Sequence, residues 1–141
     1  MALCSTAAGR PQLEVTLCRG SVAEGATDDD HYAAFQEQLR LVHHPSGKYR
    51  VGANFLRGAI FGPAGYWPAM QMLALLGGHF SPVVGFFEGQ HYPEPLVALF
   101  DVNDCYGLCM VPARLMFKAV HTIDLMTGSK RGLVVTRLLD P

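Results

Sequence analysis

Two side chains in this 141-residue chain have the types and spacing for proton transfer. His79 lies in Gly77-Gly78-His79-Phe80-Ser81-Pro82-Val83-Val84-Gly85-Phe86-Phe87, between a glycine pair and an apolar run, and Asp101 ends Pro95-Leu96-Val97-Ala98-Leu99-Phe100-Asp101. Both runs read as strands, and residues 88–94 between them read as a turn centred on Gln90. An antiparallel hairpin about that centre sets Val83 across from Val97, Ser81 across from Leu99 and His79 across from Asp101. Directly opposed side chains share a face, with Cβ atoms about 4.5 to 5.5 Å apart. A carboxylate on one ring nitrogen fixes the imidazole tautomer and leaves the other nitrogen to move a proton for a nucleophile. A slip of one residue puts the two groups on opposite faces, so the chemistry hangs on register. The same pair without a nucleophile is an ion pair closing a hairpin.

The other reactive side chains carry weaker signals. Cys105 and Cys109 lie four apart with Asp101 and Asp104 nearby, and two thiolates suit a soft metal. A structural zinc site needs four ligands, and a second pair is missing from the sequence, so loop thiols without metal are the simpler reading. Cys4 sits in an irregular N-terminus and Cys18 ends a strand pattern; neither has the helix N-terminus that lowers a thiol pKa. His43-His44 beside Pro45 reads as an exposed turn, His91 falls in the turn about Gln90, and His31 and His121 fall on polar helix faces. Tyr66-Trp67 and Met70 with Met72 read as core or interface.

The elements that must position these groups follow from periodicity. Residues 13–18, "LEVTLC", alternate as a half-buried strand. Thr27 precedes a helix in which Tyr32, Phe35, Leu39 and Val42 recur at three- and four-residue steps, with Asp30 as a capping-box partner and Asp28 and Asp29 placed for the helix dipole. After the turn at residues 43–47, "KYRVGANF" reads as a strand. Val111-Pro112 opens a second helix, with Met116, Ala119, Val120 and Ile123 on one face and Arg114, Lys118 and His121 on another, and Gly128 past its end. "RGLVVTRL" is a last β-branched strand. In "FSPVVGFF" the side chains of Phe80, Pro82, Val84 and Phe86 fill the face opposite His79. Strands and helices mix without a βαβ rhythm or a Gly-rich phosphate loop, so the expected class is α+β with a mainly antiparallel sheet and flanking helices.

Composition narrows the partners. Half the residues are apolar, and 11 basic residues stand against 12 acidic ones. That fits one domain with one core, spanning residues 1–141, and gives no basic footprint for nucleic acid or an anionic membrane. The apolar region Ala59 to Leu76 is broken by Gly62, Pro63, Gly65 and Pro68, so no membrane helix is expected. The N-terminus lacks a secretory pattern, and 4 cysteines fit a reduced cytoplasmic chain better than a disulfide scaffold.

Three segments taken together, "GGHFSPVVGF", then "LFDVN", then "VPARLMFKAVHTIDLMTGSKRGLVVTRL", resemble the second half of the catalytic domain of phytochelatin synthases, the glutathione γ-glutamylcysteinyltransferases. The specific similarity covers residues 77 to 138, and Ile123-Asp124, Thr127-Gly128 and Arg131-Gly132 match the family's "IDxxTGxxRG" segment. The resemblance implies a partial papain-like cysteine-protease fold and a Cys-His-Asp acyl transfer, with His79 as general base and acid and Asp101 orienting it. It implies glutathione and phytochelatin peptides as partners, no tightly bound cofactor, and cadmium, zinc or copper ions as activators or as glutathione thiolate complexes. The family's nucleophilic cysteine lies in an N-terminal Cys-Gly segment opening a helix, which this chain lacks; the expectation is an N-terminally truncated copy without its nucleophile, self-associating or needing a separate N-terminal half. Where the family carries an arginine after the Asp, this chain runs Asn103-Asp104-Cys105-Tyr106, and residues 62–76 form an apolar insertion. The rival expectations are a degenerate non-catalytic module that binds thiols or metal thiolates, and a papain-like cysteine peptidase using Cys18 or Cys4.

Overall fold

Alternating apolar and polar positions carry most of the backbone into one antiparallel sheet. The computed structural model describes residues 2–4, 12–19, 25–61, 78–101 and 107–140. Its strands are β1 (Ala2–Cys4), β2 (Leu13–Cys18), β3 (Tyr49–Leu56), β4 (Gly78–Phe87), β5 (Leu96–Phe100), β6 (Leu108–Pro112) and β7 (Gly132–Leu138). They lie in the order β1-β2-β7-β3-β4-β5-β6, each pair antiparallel. Helices α1 (Asp28–Arg40), α2 (Arg57–Phe61) and α3 (Ala113–Val120), with a 3-10 turn at Leu41–His43, complete an α+β fold. No helix among the described residues is long and apolar enough to cross a membrane.

The core sits between α1, α3 and one face of the sheet. On β3 the alternation is strict, with Val51, Ala53 and Phe55 buried, and Val97, Leu99, Leu133 and Val135 continue the same layer on β5 and β7. Helix α1 lays Tyr32, Phe35 and Leu39 onto it, and α3 lays Met116, Phe117 and Val120. The Phe117 ring packs edge-on to Tyr32 and Phe35, with centroids 5.2 and 5.6 Å away. Arg114 joins the helices at their rim, donating to Asp29 at 2.7 Å with its guanidinium 3.9 Å over the Tyr32 ring. The expected capping box closes α1: the Thr27 hydroxyl accepts from the Asp30 N–H at 3.2 Å and the Asp30 carboxylate accepts from the Thr27 N–H at 2.8 Å. The Thr27 hydroxyl also donates to Asp30 Oδ2 at 2.7 Å, and that bond, followed by the one from the Thr27 N–H, holds the Asp30 carboxyl below its ordinary range.

Two expectations change. Helix α3 ends at Val120, so Ile123 leaves its apolar face: it is 57% exposed and bridges to Lys130. The chain turns there because Thr122 donates to the Ala119 carbonyl and the Arg131 N–H returns to the Thr122 carbonyl. On β4, Phe80, Pro82 and Val84 do point opposite to His79, but that face is open, with Phe80 and Val84 each nearly half exposed. Phe86, expected beside them, is buried on the core side. Among the described residues the helices pack on one face of the sheet, which an antiparallel sheet permits.

Candidate functional site

His79 and Asp101 meet, although not by the expected register. The hairpin pairs Phe87 with Leu96, Phe86 with Val97 and Gly85 with Ala98, then Val83 with Leu99, leaving Val84 without an opposite residue. The turn is therefore centred between His91 and Tyr92 rather than on Gln90, with the Tyr92 N–H donating to the Gly89 carbonyl. Carried on without interruption, that register would have set Asp101 opposite Pro82, on the face away from His79. The bulge at Val84 restores the parity. Asp101 comes opposite Ser81, and His79 becomes its diagonal neighbour on the same face.

Nonlocal contacts hold the bulge. His43, exposed as expected, reaches the backbone just beyond it, with Nε2 3.0 Å from the Phe86 N–H nitrogen and 3.1 Å from the Phe86 carbonyl. Arg40 reaches from α1 with two bonds, at 2.8 and 2.7 Å, to the Glu88 carboxylate at the end of β4, which holds that carboxyl below its usual range.

At the site, His79 Nε2 lies 2.7 Å from Asp101 Oδ2 and the Ser81 hydroxyl donates to the same oxygen at 3.2 Å. The Asp101 side chain is fully buried and that of His79 is 14% exposed, so the pair sits at the edge of the core. Because a carboxylate only accepts, the neutral ring carries its proton on Nε2 and keeps Nδ1 as the basic nitrogen. Phe55, paired with His79 across β3 and β4, packs edge-on at 5.4 Å and blocks one side of the ring. Asp101 is fixed from behind by its own N–H, which donates to the Gly107 carbonyl at 2.8 Å where Gly107 takes φ +54°.

The Ile123-Asp124 and Arg131-Gly132 motif residues brace this strand end. Arg131 is 3% exposed and donates to Thr122 Oγ1 at 3.1 Å and the Ile123 carbonyl at 2.6 Å, with the Asp124 carboxylate 3.8 Å away. A Cβ on Gly78, next to His79, would stand 3.1 Å from Asn54 Oδ1 and 3.2 Å from Arg131 Nε. A Cβ on Gly132 would stand 2.3 Å from the Cys18 carbonyl oxygen, which is backbone and has no room to yield. Ser81, Phe55 and His43 escaped the sequence reading. The first two follow once the register is known, but His43 has no local signal.

The described thiols are poorly suited to attack. Cys18 is half-buried, donates to Gln38 Oε1 at 3.4 Å, and burial pushes its thiol up. Cys109, opposite Leu99, is pushed up by burial and then by the Asp101 charge. Among the described residues no group of three or more His, Cys, Asp or Glu side chains is arranged to hold a metal. Cys4 falls in β1, while Asn103, Asp104, Cys105, the 62–76 insertion, Tyr66-Trp67, Met70 and Met72 lie outside the described residues. His44 and His91 are exposed as expected, whereas His31 and His121 are half-buried, correcting their assignment to polar helix faces. No protein-family model matches the chain, and no curated protein is similar to it.

Proposed function

We propose that this chain is the His–Asp half of a phytochelatin synthase-like acyltransferase domain of papain-like fold that lacks its own thiol nucleophile. The observation that carries this is the 2.7 Å contact from His79 Nε2 to a buried carboxylate, which leaves Nδ1 as the working nitrogen. In the reaction, a cysteine thiolate, its proton taken by His79 Nδ1, attacks the Cys-Gly carbonyl of glutathione. The imidazolium then gives that proton to the leaving glycine amine, forming a thioester. Next, His79 takes a proton from the amine of a second glutathione or a phytochelatin as that nitrogen attacks the thioester and expels the thiolate. Asp101 steadies the imidazolium in both halves. Cadmium, zinc or copper enters as thiolate complexes of the substrate, in a cytoplasmic setting.

The raised thiols of Cys18 and Cys109 support the missing nucleophile and disfavour a peptidase acting through Cys18. They also favour a second reading, a non-catalytic module that binds thiols or metal thiolates. One experiment separates the two. The purified chain is incubated with glutathione and cadmium, alone and with a separately produced N-terminal Cys-Gly half of a phytochelatin synthase, and γ-Glu-Cys oligomers are sought by mass spectrometry. The acyltransferase reading expects product only in the mixture and only with His79 and Asp101 intact. Glutathione binding without product in the mixture favours the module, and robust product from the chain alone overturns the missing nucleophile.

A further inference from the structure

Ser81 places a fully buried hydroxyl in a layer otherwise built of carbon. It stands two residues after His79 on β4, so both side chains leave the same face, opposite Ala53 and Phe55 of β3. Ala53, Val83 and Leu99 around it are buried and apolar, so packing by itself asks for an alanine there. Pro82 follows, and a residue before proline is held to extended backbone, which fixes where the Ser81 side chain starts.

Among the described residues the Ser81 hydroxyl bonds only to Asp101 Oδ2, the oxygen that meets His79 Nε2. A buried hydroxyl costs free energy unless it is bonded. At 3.2 Å this bond is longer than the ~2.7 to 2.8 Å usual between two oxygens, whereas the His79 contact at 2.7 Å is short for a nitrogen donor. Stability therefore accounts poorly for a serine at this position. Orientation accounts for it better. With two donors on Oδ2, turning the carboxylate about its Cβ–Cγ bond breaks two hydrogen bonds instead of one. The longer bond draws little charge from Oδ2, which stays a strong acceptor for His79.

We propose that Ser81 is a positioning residue, holding the Asp101 carboxylate so that Oδ2 meets His79 Nε2–H and Nδ1 stays the basic nitrogen. Being buried, Ser81 acts through Asp101 and not on substrate. Its catalytic meaning rests on the acyltransferase reading, whereas its effect on the His79 tautomer does not.

The two imidazole nitrogens of His79 are followed by 15N NMR in the unaltered chain, in Ser81→Ala and in Ser81→Thr, under alkaline conditions that keep imidazole neutral. In the unaltered chain a nuclear Overhauser contact is expected between the Ser81 hydroxyl proton and the His79 Nε2 proton, because both point at one oxygen. Ser81→Ala keeps the carboxylate and is expected to lower the ratio of Nε2–H to Nδ1–H tautomer about threefold, the worth of one weak hydrogen bond. Its urea midpoint is expected to move less than that of Asp101→Ala. Ser81→Thr keeps the hydroxyl on a side chain that strands favour, and is expected to restore the ratio. A ratio in Ser81→Ala that is unchanged or raised, a folded Ser81→Thr that does not restore it, or no Overhauser contact in the unaltered chain would overturn the proposal. The last of these decides the question even if neither variant folds. Failure of the acyltransferase reading looks different: no γ-Glu-Cys oligomers form in the mixture whichever residue stands at position 81, while the tautomer ratios still respond. Where product forms, Ser81→Ala is expected to lower kcat about threefold with KM unchanged. A raised KM with kcat unchanged would put Ser81 in substrate binding and overturn the positioning role.

Discussion

Asp101 holds two neighbours on one oxygen, so removing it strands both His79 Nε2 and the Ser81 hydroxyl at a buried position. Asp101→Ala is expected to cost about 2 kcal/mol in urea unfolding, the range for hydrogen bonds to charged groups. His79→Ala costs less, because its ring already reaches solvent and its loss leaves Ser81 in place. A 15N spectrum of the native protein is expected to show the His79 proton on Nε2, and Asp101→Ala to abolish that preference. Glycine positions separate in the same way. Gly132→Ala drives a Cβ against the rigid Cys18 carbonyl and is expected to cost about 2 kcal/mol or more. Gly52→Ala meets only the exposed Phe80 ring, at 2.7 Å, which can swing aside.

Among the elements, the β4 bulge has the most consequence, since it decides which face of the sheet Asp101 joins. His43→Phe leaves the Phe86 N–H without its acceptor. It is expected to speed amide exchange at Phe86 and to loosen the His79–Asp101 contact, seen as a weakened Nε2 tautomer preference. At the start of α1, Thr27→Ala removes the hydroxyl that accepts from the Asp30 N–H while leaving the backbone half of the exchange, and is expected to cost about 1 kcal/mol. The end of α3 sets an acid response. His121 is lowered from its ordinary value of 6.5 by burial, the Phe117 carbonyl opposes that shift, Lys130 and His31 add to it, and Asp28 opposes it. Its folded pKa therefore lies below its unfolded one, so the unfolded chain takes up a proton first as pH falls through about 6.5. Stability is expected to drop between about pH 7 and pH 5, and His121→Phe to flatten that slope in urea midpoints.

Over the whole molecule, the asymmetry of the sheet matters most. One face is covered by α1 and α3, while the other shows Phe80, Val84, Phe100, Leu108 and Met110 to solvent, each at least 48% exposed. They lie on β4, β5 and the edge strand β6, where Phe100 pairs with Leu108 and Ala98 with Met110. A contiguous apolar face next to an open edge favours association. Sedimentation velocity is expected to show self-association that grows with concentration, and Leu108→Lys on the edge strand to reduce it. A monomer at every concentration would count against this.

Patterns confined to one segment were legible in the sequence by itself. The capping box at Thr27, the period of α1, the strand at residues 49–56 and the β-branched last strand each rest on neighbours within a few residues, and all stand close to where they were expected. Pairing His79 with Asp101 was also legible, because two runs of similar length flanking a short turn must bring their far ends together. What only the tertiary structure decided is the path to that pairing. The bulge at Val84 depends on His43, which lies 43 residues before its partner Phe86, and the brace at Gly78 depends on Arg131 from another strand end. The end of α3 is likewise set by bonds returning from Arg131. Such contacts join residues that no local period connects, so their physical cause exists only once the chain has folded.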